Sequence, residues 1–166
     1  GLIGELAQED LRQAGDVQTI LVAWWPGVLK RVRIIAPQVV SVRSRPEESG
    51  PTASFFSGGV DSWYTLQKHN GEISQLITAK GFDLPYADRD VWPEIVRANH
   101  QIAAALGKEF IQVETDIRDR LDPSYGCFRR PFYDDFWGQC MHGACMGAVG
   151  LMLQSAVARV IIPSAM

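Results

Sequence analysis

The chain has 166 residues, of which 46% are hydrophobic and 21% are charged, a composition ordinary for a globular domain with a buried core. The 16 lysines and arginines against 19 aspartates and glutamates leave a net charge of -3, which argues against a dedicated nucleic-acid binder. Three cysteines are too few for a disulfide framework and point to a reducing compartment. The sequence shows no signal peptide and no apolar stretch long enough for a membrane span, so we expect a cytoplasmic protein without membrane contact.

The first 50 residues are predicted to form a small β-rich segment. Residues 1–16 carry apolar side chains among acids and amides, which favours a short amphipathic helix that ends at a glycine. The β-forming run 19–25, a Pro-Gly turn and the alternating run 28–35 predict a β-hairpin, and 39–42 favours a third short strand.

Residues 45–52 are polar and contain two prolines and a glycine, so we interpret them as a linker between domains 1–50 and 51–166. The second domain alternates between short strands and longer helices. The strands are predicted over 53–56, 73–79, 109–113 and 160–162, the helices over 62–69, 89–106 and 140–156, and residues 115–139 are expected to be irregular. This order predicts an α/β fold, with a mostly parallel sheet and helices on both faces, whose ligands bind at the carboxyl ends of the strands.

The segment Ser57–Ser62, with the sequence SGGVDS and here called the glycine loop, is the most informative part of the chain. It lies where a predicted strand ends and a helix begins. Two adjacent glycines let a ligand approach the backbone, and the first N–H groups of the helix favour an anion. The Asp61 carboxylate would repel phosphate unless a cation lies between them, so Asp61 is predicted to bind Mg²⁺. The alternative is a turn in which Asp61 and Ser62 only cap the helix.

The six residues of the glycine loop match the S-G-G-x-D-S signature of the PP-loop ATP pyrophosphatases, the adenine nucleotide alpha hydrolase-like enzymes. The resemblance is specific over 53–66, and the order of elements is similar over 52–163. Phe56 and the pair Gly81-Phe82 make the chain most similar to the asparagine-synthetase branch. The resemblance implies a Rossmann-like PP-loop domain that binds ATP and Mg²⁺. The cofactor-binding residues that it implies are Ser57, Gly58, Gly59, Val60, Asp61, Ser62, Ile77 and Ala79.

The same resemblance implies an AMP-forming ligase or amidotransferase, which adenylates a small-molecule carboxylate or carbonyl before a nucleophile displaces AMP. Asp61 and Lys80 are the implied catalytic residues, and Asp61 is the implied metal ligand. The second acidic signature of that branch is missing, so we expect a domain truncated at its C-terminus. Two alternatives stay open, namely a sulfurtransferase with Cys127 as the attacking thiol and a non-catalytic ATP-binding domain. The acceptor and a homo-oligomeric state are open as well.

Other side chains near the predicted strand ends are weaker candidates. Asp83 lies in the predicted crevice, Glu114 and Asp116 could hold Mg²⁺ or orient an acceptor, and Arg129 and Arg130 could bind phosphate, although an exposed loop is the more common explanation for each of them. The spacing of Cys140, His142 and Cys145 is not a usual zinc spacing. His142 at a helix N-terminus could face a phosphate, although a packed histidine is the more common explanation.

Overall fold

The computed structural model describes residues 5–36, 38–40, 50–121 and 137–164. The chain divides into two compact units, Gly1–Arg45 and Pro46–Met166, and this division falls inside the polar segment 45–52. The first unit contains a two-stranded sheet and the second a four-stranded sheet. None of the helices in the described ranges is long and apolar enough to cross a bilayer.

The first unit is built around one long helix, α1 (Gln8–Trp24). The short strands β1 (Glu5–Ala7) and β2 (Gln38–Val40) pair in parallel. At the start of α1 the Asp10 carboxylate accepts a hydrogen bond from the backbone N–H of Ala7. Glu9 and Asp16 of α1 lie one turn on either side of Arg12, and both pair with its guanidinium.

The predicted β-hairpin of this unit is wrong. Residues 19–24 continue α1, and 29–36 belong to no strand, although the Val32 N–H donates to the Gln18 side chain 2.7 Å away. The preference of β-branched residues for strands is weak and depends on packing partners. In 19–24 the helix continues to Trp24, and Thr19 donates its hydroxyl hydrogen to the Gly15 carbonyl 2.8 Å away in the same helix.

The second unit confirms the predicted α/β fold with a parallel sheet. Its sheet has the order β5-β4-β3-β6, and all three pairings are parallel. Its elements in chain order are β3 (Thr52–Phe55), α2 (Val60–Lys68), β4 (Gln75–Lys80), α3 (Trp92–Ala105), β5 (Glu109–Glu114), α4 (Ile117–Leu121), a π-helical turn (Trp137–Met141), α5 (His142–Met152) and β6 (Arg159–Ile161). The segment predicted to be irregular therefore contains α4, and residues 122–136 lie outside the described ranges.

Helices cover both faces of this sheet. Successive residues of a strand point to opposite faces, and Leu76 and Ile77 of β4 accordingly enter different core clusters. Leu76 packs with Leu66 of α2 and Ala103 of α3, whereas Ile77 packs in the cluster that includes Val149 of α5. Because both faces are covered, the central strands are buried along almost their whole length and show no alternation of buried and exposed residues.

The strand order places a topological switch point beside β3. After β3 the chain builds β4 and β5 on one side, and it then returns to place β6 on the other side of β3. The connections that follow neighbouring strands therefore diverge, and a crevice opens at the carboxyl ends of β3 and β6. Ligands of open α/β sheets bind in such crevices.

Candidate functional site

A cavity of about 250 Å³ lies at the carboxyl end of this sheet. Its lining comes from the glycine loop after β3, the end of β4 and the turn that follows it, the first turns of α3 and α5, and Pro163 after β6. The cavity therefore occupies the crevice at the switch point. Its volume is close to the lower end of the range for small-molecule sites, roughly 300 Å³.

The glycine loop adopts the sharp turn that its sequence predicts. Gly58 has a φ of +82°, a conformation that costs a residue with a Cβ roughly 1–2 kcal/mol. Gly59 is the N-cap of α2, and its N–H lies 3.3 Å from Ser57 Oγ. Ser62 is buried and its hydroxyl donates to the Gly59 carbonyl at 2.7 Å, so this side chain stabilises the turn. The first N–H groups of α2 consequently open toward the cavity without partners inside the helix.

Asp61 lies on the first turn of α2, is exposed and lines the cavity. Its neighbour Val60 is 84% exposed and lines the cavity as well. An exposed carboxylate at a helix N-terminus fits one ligand of a metal whose other ligands are phosphate oxygens and water. Within the described ranges no three His, Cys, Asp or Glu side chains form a metal-binding group, so the protein offers no all-protein metal cage there.

A buried amide fixes the strand ends beneath the glycine loop. Asn99 of α3 is 4% exposed, and its Nδ2 donates to the Phe56 carbonyl at 3.3 Å and to Thr78 Oγ1 at 3.1 Å. Thr78 Oγ1 itself donates to the same Phe56 carbonyl at 3.0 Å. Phe56 directly precedes the loop, so Asn99 and Thr78 set the point from which the loop departs.

The end of β4 and the start of α3 supply the apolar wall. Ile77, Thr78 and Ala79 line the cavity, which places the two strand residues implied for adenine binding beside the glycine loop. Trp92 and Ile95 of α3 line it from the other side. This wall is apolar and flat enough for a planar ring, as in many small-molecule sites.

Lys80 does not line this cavity, although the resemblance implies a catalytic role for it. Its side chain is buried, with 6% of the residue exposed, and its ammonium lies 5.5 Å from the Tyr86 ring centre and 5.8 Å from the Trp92 ring centre. The Trp92 indole N–H donates to Glu114 Oε1 at 3.1 Å. Lys80 and Glu114 therefore hold the tryptophan that forms the wall.

The turn after β4 is held tightly. Gly81 has a φ of +90°, and a Cβ there would lie 1.6 Å from the Thr115 carbonyl oxygen, so only glycine fits. The Gly81 N–H donates to the Leu84 carbonyl at 3.0 Å, and Arg118 donates to the Phe82 carbonyl at 2.6 Å. Asp83 sits at the tip of this turn and lines the cavity.

His142, the first residue of α5, lines the cavity. Its ring packs edge-on against Phe82, with centres 6.0 Å apart, and against Trp137 at 5.5 Å. Its Nε2 lies 3.9 Å from Asp83 Oδ1. His142 therefore packs against the fold, as expected, and it also lines the cavity.

The remaining candidates are dispersed. Asp116 pairs with Arg120 at 2.6 Å, and Glu114 serves Trp92, so neither faces the cavity. Cys145 is buried in the core, and burial raises the pKa of its thiol. Arg129, Arg130 and Cys127 lie outside the described residues, and so does the side chain of Cys140.

Sequence reasoning missed Asn99 and Trp92. Asn99 carried a usable signal, because it lies between Ile95 and Ile102 on the apolar stripe of α3. A buried amide must find hydrogen-bond partners, so an asparagine in that stripe indicates a polar contact with a neighbouring element. Trp92 carried no such signal, since it opens a helix and its surroundings depend on the tertiary fold.

No protein-family model matches this chain, and no curated protein matches it significantly. What the site can do therefore follows from its own geometry and from the residues of the glycine loop.

Proposed function

We propose that the cavity binds ATP with Mg²⁺ and that the protein adenylates a small-molecule carboxylate or carbonyl, releasing pyrophosphate, before a nucleophile displaces AMP. The observation that carries this proposal is the position of the glycine loop. Its residues other than Gly58 line a cavity at the switch point of a parallel sheet, at the N-terminus of α2. Such a site favours a phosphate chain.

The distribution of chemistry along the cavity supports a nucleotide. Phosphates fit at the glycine loop, where the Ser57 hydroxyl and the free N–H groups of α2 are donors. The base fits at the other side, between Ile77, Ala79 and the Trp92 wall. An extended molecule that is anionic at one end and planar at the other matches both halves.

The residues present also fit a magnesium ion. Asp61 is an exposed oxygen ligand at the phosphate end, and Mg²⁺ typically binds one or two carboxylates together with substrate phosphates and water. When bound, the ion would neutralise charge on the leaving pyrophosphate. Asp61 would hold and orient it, while Ser62 keeps the turn in place through Gly59.

The proposal is tested first by ATP binding and product analysis. MgATP should raise the melting temperature, because a ligand that binds only the folded state stabilises it. With a panel of free amino acids and dicarboxylic acids as acceptors, labelled ATP should give AMP and pyrophosphate. ADP and phosphate as the main products, or no nucleotide turnover with any acceptor, would contradict the adenylation.

A glycine variant connects binding to the loop. In Gly59→Val the new Cβ would lie 3.3 Å from Ser57 Oγ and the branched side chain would crowd the phosphate position, so most of the ATP-induced shift should be lost. Gly71→Val is the matched control, because nothing lies within 4 Å of a Cβ at Gly71. An undiminished ATP-induced shift of the melting temperature in Gly59→Val would mean that the glycine loop does not bind the nucleotide.

The alternatives predict different results. A non-catalytic ATP-binding domain would give the thermal shift without AMP formation. A sulfurtransferase would need an accessible thiolate, and Cys145 does not provide one, because its thiol is buried and the pKa is raised. Dependence of turnover on sulfide would favour that alternative, and dependence on ammonia would favour the amidotransferase.

A further inference from the structure

Three titratable side chains line the cavity within the described residues, and they stand at two ends. Asp61 belongs to the glycine loop, whereas Asp83 and His142 lie together beside the start of α5. The first end accounts for phosphate and metal binding in the proposed function. The second end has no role there, although it contains an imidazole, the side chain whose ordinary pKa is nearest neutrality.

The orientation of His142 is fixed by its neighbours. Phe82 contacts the ring edge-on, Trp137 packs at its side, and these two aromatic rings also contact each other at 5.7 Å. The side chain is still 35% exposed, so the imidazole is reachable from the cavity. A ring that is held by packing and open on one side satisfies the geometric requirement for proton transfer to a bound molecule.

Asp83 provides a charge partner on a rigid turn. The 3.9 Å between His142 Nε2 and Asp83 Oδ1 is an ion-pair distance and exceeds hydrogen-bond range, so the carboxylate acts through its charge. The turn is anchored by Gly81 against Thr115 and by Arg118 at the Phe82 carbonyl. The carboxylate thus stays beside the ring, and its charge faces the imidazole.

We propose that His142 is the general base for the second half of the reaction, that Asp83 is its positioning residue, and that the nucleophile is ammonia or a primary amine. This inference rests on the proposed function. The amine lone pair attacks the acyl carbon, a C–N bond forms, and the C–O bond to AMP breaks with its electron pair leaving on AMP. The nitrogen loses one proton to the imidazole, which passes it to water.

The presence of a base distinguishes between classes of nucleophile. A thiolate or persulfide attacks as an anion and has no proton to lose at that step. An amine becomes cationic on attack and must lose a proton before the amide is stable. A held imidazole next to a carboxylate serves that second case, and among the described residues His142 is the one imidazole that lines the cavity.

The test separates the two half-reactions. Wild-type protein is incubated with MgATP, the acceptor panel of free amino acids and dicarboxylic acids, and ammonium, and both acceptor-dependent ATP–pyrophosphate exchange and amide formation are measured. His142→Gln should keep exchange near the wild-type rate and lower amide formation about 100-fold or more, the size of a general-base contribution. Asp83→Asn should lower amide formation by less than about tenfold, because exposed ion pairs are weak.

The matched control is His100→Gln. His100 also packs edge-on against an aromatic ring, Phe110 at 5.5 Å, but it does not line the cavity. It should retain both half-reactions. Should His142→Gln unfold, as judged by its melting curve, His142→Ala with added imidazole provides the second measurement, and imidazole should restore amide formation.

Hydroxylamine gives an internal check, because its conjugate acid is a stronger acid than ammonium, so its nitrogen loses the proton after attack with less help from a base. The defect of His142→Gln should therefore be smaller with hydroxylamine than with ammonium. Equal amide formation by His142→Gln and wild type, or no imidazole rescue of His142→Ala, would overturn the base role while exchange still supports adenylation. Absence of exchange and of AMP formation in the wild type would overturn the proposed function and the base role together.

Discussion

Asp61 is the residue for which the proposed function makes its most direct prediction. It is exposed, it lines the cavity, and its carboxylate stands where the N-terminus of α2 favours an anion. A carboxylate would compete with a phosphate for that position. A cation between the carboxylate and the phosphate attracts both of them, so a loop of this kind can contain an aspartate.

Replacement of Asp61 by asparagine should separate metal binding from helix capping. Asp61→Asn keeps the size of the side chain, so the melting temperature of the free protein should change little. Turnover should fall about 100-fold or more, the loss seen when one electrostatic stabiliser is removed. Binding of ATP without Mg²⁺ should be equal or tighter, because one negative charge has gone. Steady-state AMP production and thermal shifts with and without Mg²⁺ measure these effects.

Glu94→Gln is the matched control for Asp61→Asn, because Glu94 is an exposed acid in the first turn of α3 and does not line the cavity. It removes the same charge from the same kind of position and should leave turnover and ATP binding unchanged. Near-normal turnover of Asp61→Asn would mean that Asp61 takes no part in turnover and serves only in the first turn of α2.

At the scale of elements, α3 connects the core to the glycine loop through one side chain. Asn99 reaches from the helix to the Phe56 carbonyl and to Thr78, directly beneath the loop. Asn99→Ala should destabilise the fold by about 1–3 kcal/mol, because buried groups lose their partner. The ATP-induced thermal shift should decrease as well, since the departure point of the loop is no longer fixed.

Gln101→Ala provides the comparison for Asn99→Ala. Gln101 lies on the same helix and is exposed, so its truncation should change neither stability nor ATP binding by a measurable amount. If Asn99→Ala lost stability but kept the full ATP-induced shift, the hydrogen bonds of Asn99 would matter for the core alone.

The strands and helices of the second unit were predictable because their apolar runs and the turn residues between them indicate the same elements. Each predicted strand is an apolar run between turn residues, and β4, predicted over 73–79, spans Gln75–Lys80. The run 19–25 gave conflicting signals, since its residues favour strands while its neighbours favour a helix. The structure continues α1 through these residues to Trp24, and composition alone does not decide between the two.

The same distinction separates the two ends of the cavity. The glycine loop was predictable because six consecutive residues carry its chemistry. The pair of Asp83 and His142 is 59 positions apart in the sequence, and the cause of its proximity is the order of the strands. Only the fold brings the turn after β4 to the start of α5, so a single sequence gives no signal for this pair.

For the whole molecule, both core clusters and the whole lining of the cavity belong to the unit Pro46–Met166. A fragment of residues 46–166 should therefore fold with a cooperative melting transition and show the ATP-induced shift of the full chain. Circular dichroism and thermal shift measurements on the fragment and the full chain test this. A folded fragment without the shift would assign part of the nucleotide site to residues 1–45.

One exposed carboxylate also joins the turn after α2 to strand β6. Glu72, in the turn after α2, accepts hydrogen bonds from His69 at 3.2 Å and from Arg159 of β6 at 2.5 Å. These bonds, that from His69 first, lower the pKa of Glu72 below its ordinary value. A lowered pKa in the folded state stabilises the protein above the unfolded pKa of about 4.3, and this stability is lost as the pH falls through the folded value.

Glu72→Gln should therefore lower the melting temperature near neutral pH by a small amount and change it little at strongly acidic pH. The effect is small because all three partners are exposed to solvent and water screens their charges. Melting curves between about pH 3 and pH 7, with Glu94→Gln as the reference for loss of an exposed acid, measure the difference. A stability deficit of Glu72→Gln that stayed constant down to the acid end would mean that the side chain contributes through packing, and that its charge does not connect this turn to β6.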